Sequence, residues 1–181
     1  MLAAYRELAE RGFEGLRTRE IAGAVGVNIA TLHYYFPHKQ DLVRSVVGHA
    51  MARFRATLPS EGRPADQLRA HFDGIRRLSR EEPELFAVMG ELALRASRDA
   101  AIATILRKTD DTWHATVRDL ILAAQRDGAI DRALDVEAMA ALIVAALKGT
   151  YLLPASSGQP QRLDQALRQL ERSLGLTRRR R

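Results

Sequence analysis

Five histidines, His33, His38, His49, His71 and His114, are the side chains of this sequence best suited to proton transfer or metal ligation. His114 has carboxylates four and three residues before it, Asp110 and Asp111, a helix spacing that a metal site could use. The same spacing serves an ordinary helix ion pair, which is the plainer reading. No glycine-rich phosphate loop, nucleophile elbow or paired-carboxylate motif occurs, and there is no cysteine for thiolate chemistry or disulfides. The expectation is a protein without catalysis, metal or cofactor, in a reducing, cytoplasmic setting.

Recognition chemistry is better represented. Residues 17–36, RTREIAGAVGVNIATLHYYF, place small and apolar residues where two short helices must cross. Ala22 allows close approach, and Gly26 supplies the positive φ of a tight turn. Val27 is expected to pack beneath that turn, with Ile21, Val25 and Leu32 closing a miniature core. Ala-x-x-x-Gly with a leucine six residues on is the helix-turn-helix pattern, although a plain helical hairpin could use the same residues. A helix of this size fits the major groove, about 12 Å wide, with its N-terminal residues at the base edges. Those residues are Asn28, Ile29, Ala30 and Thr31. Asn28 can cap the helix or hydrogen-bond adenine, Thr31 offers a hydroxyl and a methyl, and Ile29 and Ala30 offer only apolar contact.

The run from Gly26 to Lys39, GVNIATLHYYFPHK, preceded by Arg11-Gly12-Phe13-Glu14-Gly15 and Arg19-Glu20-Ile21-Ala22, resembles the DNA-binding domain of the TetR family of bacterial transcriptional regulators. The resemblance covers residues 2 to about 47. It implies that His33, Tyr34 and Tyr35 lie against the phosphate backbone, with one aromatic, Tyr35 or Phe36, packing inside. Lys39 opens the next helix, where its ammonium and the helix amides could jointly hold a phosphate, and Arg17 and Thr18 play that part at the first short helix. Many family members carry a basic residue at the Ile29 position and tyrosine at the His33 position, and members usually have several more residues before the first helix. Readout of bases is therefore expected to be thin, leaving more to phosphate contacts and DNA shape.

The elements that must position these residues read as helical throughout, which makes the fold class all-α: an N-terminal three-helix reader, then a helical ligand-binding and dimerisation domain. Helices are expected over 2–11, 18–25, 28–35, 39–58, 66–81, 83–97, 99–127, 135–153 and 161–174, with a loop from Pro154 to Pro160. Gly12, Gly26 and Gly128 end helices, and Pro37 and Pro59 interrupt them. The expected domains are 1–47 for DNA binding, with the motif at about 17–36, 48–177 for effector and dimer contacts, and a basic tail, 178–181. His71, Phe72, Phe86, Met89, Trp113, His114 and Met139 are candidates for lining a ligand pocket. The helix over 135–153 is apolar on nearly all sides, so it should meet both its own core and a second copy.

Charge and hydropathy bound the alternatives. The net charge of +6 divides into +3 over residues 1–60, −1 over 61–177 and +4 in Arg178 to Arg181. The longest apolar run, Ala138 to Leu147, is half of the ~20 residues that a bilayer span needs, and no signal peptide is read at the N-terminus. The resulting expectation is a homodimeric repressor, joined through its last two helices, that binds a palindromic double-stranded DNA operator and is released by a small-molecule effector. No membrane partner is expected. The alternative is a helical adaptor or membrane-surface protein relying on its arginine tail, without sequence-specific DNA binding.

Overall fold

In a computed structural model, which describes residues 1–152 and 159–176, the described residues form nine α-helices and one 3-10 turn, with no strand among them. The helices are α1 (Leu2–Arg11), α2 (Thr18–Ala24), α3 (Ile29–Tyr35), α4 (Lys39–Arg55), α5 (Pro64–Glu81), α6 (Pro83–Ala96), α7 (Ala100–Arg126), α8 (Val136–Leu152) and α9 (Gln159–Ser173). The 3-10 turn, Phe13–Gly15, joins α1 to α2. Residues 154–158 of the expected loop and the tail from Arg178 to Arg181 lie outside the described residues. Pro160 belongs to α9, not to the loop, because proline is tolerated in a first turn where no helical amide is needed.

The chain divides into two compact units, Met1–Arg53 with Glu82–Lys108, and Phe54–Glu81 with Thr109–Arg181. In the first, α1 packs on α6, on α2 and on the 3-10 turn. Leu8, Leu16, Ile21, Leu42, Val46, Leu85 and Leu92 are fully enclosed there. Helix α1 stops at Gly12, whose amide still makes the last helical bond to the Leu8 carbonyl while its φ of +66 turns the following chain out of the helix.

In the second unit α9 packs on α5 and α8. The leucine stripe Leu163, Leu167, Leu170 and Leu174 is buried. Arg76 of α5 ties α9 down with three hydrogen bonds to carboxylates, one to Asp164 at 2.9 Å and two to Glu171 at 2.8 and 2.9 Å, and makes a fourth within α5 to Asp73 at 2.8 Å. These partners hold the guanidinium in its charged form more firmly than usual. Helix α8 buries Met139, Ala140, Ile143, Val144, Leu147 and Tyr151 on one side. Its other side leaves Ala138, Ala141, Leu142, Ala145, Gly149 and Leu152 exposed.

Candidate nucleic-acid interface

Helix α2 ends in two backbone bonds, Gly26 N–H to the Gly23 carbonyl at 3.1 Å and Val27 N–H to the Ala22 carbonyl at 3.0 Å. This is the Schellman arrangement, and its left-handed position falls on Gly26 at φ +70. Ile21, Ala22 and Leu32 are buried between the two helices, but Val25 and Val27 are 49% and 37% exposed. Neither valine packs beneath the turn as the sequence leads one to expect. Both lie in the turn itself, whose backbone is satisfied by its own hydrogen bonds and needs no side chain beneath it.

Asn28 caps α3. Its Oδ1 accepts from the Thr31 amide at 2.7 Å and from the Thr31 hydroxyl at 3.0 Å. Along α3 only Leu32 is buried; Ile29, Ala30, His33, Tyr34 and Tyr35 are exposed and Thr31 is partly so. Tyr34 and Tyr35 stand at 78% and 69% exposure, edge to face at 5.2 Å between ring centroids. Phe36, not Tyr35, is the partly enclosed aromatic. A short helix that exposes two tyrosines, a histidine and an isoleucine while burying one leucine has a surface made for contact. Arg17 precedes α2 and is exposed, with its guanidinium 3.4 Å from Glu20, and Thr18 begins the helix half-buried.

Lys39 is placed differently from the other nine candidates. Its Nζ donates to the Phe13 carbonyl at 3.4 Å and lies 4.0 Å from the centre of the Phe13 ring. Burial lowers its pKa, with Glu14 opposing that effect. The Arg95 guanidinium lies over the same ring at 4.5 Å, and Glu91 of α6 accepts from the Phe13 amide at 2.7 Å. Glu91 is 78 positions from Phe13, and no local pattern in the sequence points to it.

The expected pocket residues are distributed over both units. Phe86 and Met89 are buried in the first unit, and the other five belong to the second. There, His71 is enclosed next to Phe72, and Trp113 is half-buried and stacked on Phe54 with 6.4 Å between centroids. Met139 is buried and His114 is half-buried. Thr57 donates its single hydroxyl proton to the Phe54 carbonyl at 2.6 Å, so the 2.6 Å contact between His71 Nδ1 and the Thr57 oxygen requires the proton on Nδ1. Nε2 is then the acceptor for the Trp113 indole N–H at 3.3 Å. Every proton in this chain has an acceptor when His71 is neutral, and burial holds its pKa at about 4. Among the described residues no three histidines or carboxylates gather as a metal site, and no helix is long and apolar enough to cross a membrane.

Comparison with known proteins brings both halves into one family. Residues 1–46 match the model of the bacterial regulatory proteins of the tetR family, and residues 64–178 match that of the BetI-type transcriptional repressor C-terminal domain. The nucleoid occlusion factor SlmA of Haemophilus influenzae is 26% identical over 133 residues, 71% of this chain and 60% of that protein. The aligned region thus spans 60% of the length of the curated relatives matched. The fold is similar to that of a TetR transcription regulator from Haloarcula marismortui, with a TM-score of 0.84, 21% identity and coverage of 96% of this chain and 93% of that one. It is also similar to a Saccharomonospora viridis protein crystallised in complex with choline, with a TM-score of 0.76, 22% identity and coverage of 94% and 91%.

Proposed function

The chain belongs to the TetR family of bacterial regulatory proteins and is a DNA-binding transcriptional regulator; from that premise we propose that it is a homodimeric repressor that leaves a palindromic operator when a small molecule binds. The observation that carries the DNA-reading surface is α3 itself, capped by Asn28, anchored by Leu32 and otherwise exposed. Ile29, Ala30 and Thr31 would meet base edges, while Arg17, Thr18, His33, Tyr34 and Tyr35 would meet phosphates. Lys39 would act through Phe13, unless its ammonium exchanges the ring and carbonyl for a phosphate. Two copies joined through α8 and α9 would set their α3 helices one DNA turn apart, about 34–36 Å, or a multiple of it.

The effector site is proposed at His71, Phe72 and Trp113, with Met139 and His114 on the same unit. The stacked Phe54 and Trp113 rings would suit a small organic cation of the kind that the Saccharomonospora protein holds. Selection of bound sequences from a random DNA pool tests the operator reading; a dimer should recover an inverted repeat, and failure to enrich any sequence refutes it. Trp113 is the one tryptophan of the chain, so its fluorescence reports the effector site directly during titration with choline and neutral analogues.

A further inference from the structure

The link between α1 and α2 is gripped from three directions at a single residue. The Phe13 amide donates to Glu91 Oε1 at 2.7 Å, its carbonyl accepts from Lys39 Nζ at 3.4 Å, and its ring lies beneath both Lys39 and the Arg95 guanidinium. Gly12 makes room for this. At φ +66 it already favours glycine, and a Cβ there would stand 3.2 Å from Glu91 Oε1. On the other side of Phe13 the chain runs without a break into α2: its carbonyl accepts from Leu16 N–H, and Gly15 accepts from Arg17 N–H, the residue before the helix.

We propose that Glu91 is a positioning residue for DNA recognition: through the Phe13 amide, α6 sets where α2 and α3 stand. The inference rests on the regulator reading and adds a residue to it. A peptide amide at the start of a 3-10 turn has no acceptor within its own turn, so a carboxylate brought from α6 decides the orientation of that turn. Because α2 and α3 share the buried Ile21, Ala22 and Leu32, a swing at Phe13 carries both helices as one body.

The test compares the full-length parent with Glu91→Ala and Glu91→Gln, the second keeping an oxygen that can accept from the Phe13 amide. Amide hydrogen exchange over residues 13–35 should accelerate at least about tenfold in Glu91→Ala and stay near the parent in Glu91→Gln, with residues 159–176 unchanged in both. Affinity for the selected operator should fall at least about tenfold in Glu91→Ala with the salt slope intact, because every phosphate-contacting side chain is still present. Glu91→Met, which keeps the aliphatic stem, takes the place of the alanine variant if that one does not fold. Unchanged exchange overturns the proposal, and so does faster exchange with parental affinity, which would make Glu91 a stabilising contact only. Should the parent itself enrich no DNA, the operator reading fails, and the exchange measurement alone decides whether α6 holds the reader.

Discussion

Asn28 commits its side-chain oxygen to the amide and hydroxyl of Thr31, so at this position helix stability and DNA contact can be separated by substitution. Asn28→Asp keeps a cap of equal quality but sets a negative charge facing phosphate; it should weaken binding to all DNA while the melting temperature stays within a degree or two. Asn28→Ala should instead cost about 1 kcal/mol of stability. Calorimetry beside DNA titration distinguishes the two. His71 makes a second residue-scale prediction. Its pKa is about 4 in the folded chain against 6.5 as the ordinary value, so between those limits the unfolded chain takes up a proton that the folded one refuses. The stabilisation is complete above pH 6.5 and is lost as pH falls toward 4, by up to about 1.4 kcal/mol per pH unit for this group. Denaturant unfolding at pH 7 and pH 5 should show that loss, and His71→Gln should flatten it. Histidine at position 71 was legible as a pocket candidate, but its bonds to Thr57 and Trp113 were not, because they join residues 14 and 42 positions apart.

At the scale of elements, the sequence foretells most of the helical boundaries to within a few residues, because the signals are local. Gly12, Gly26 and Gly128 all take the positive φ that their places after helices imply. What stayed hidden depends on tertiary partners. The exposure of Val25 and Val27 follows from a turn that completes its own hydrogen bonds. Arg76 shows how the helices of the second unit are held once formed. Arg76→Ala would remove the cation that Asp164 and Glu171 share, and should destabilise the chain by about 2 to 4 kcal/mol, a range discounted for their partial exposure. Arg76→Lys should recover little of this, since an ammonium cannot reproduce the fork that meets both Glu171 oxygens. Urea unfolding of the three proteins checks the order.

For the whole molecule, the proposed dimer makes the outer side of α8 its sensitive surface. Ala145→Glu would bring a charge into the middle of a stripe of small residues and should shift the protein to monomers in sedimentation, with operator affinity falling at least about a hundredfold as the second half-site is lost. Parental sedimentation of that variant would exclude α8 from the interface. The sequence marks α8 as apolar on nearly all sides, but which side faces its own chain is decided by packing against α9 and by ion pairs with α7. That uncovered side also makes abundance a physical variable of the protein. Mass action couples assembly to folding, so the melting temperature should rise with protein concentration. Occupancy of a two-half-site operator would then grow with the square of the monomer concentration when the protein is scarce. In the proposed dimer, a change in synthesis rate would therefore alter operator occupancy more than in proportion.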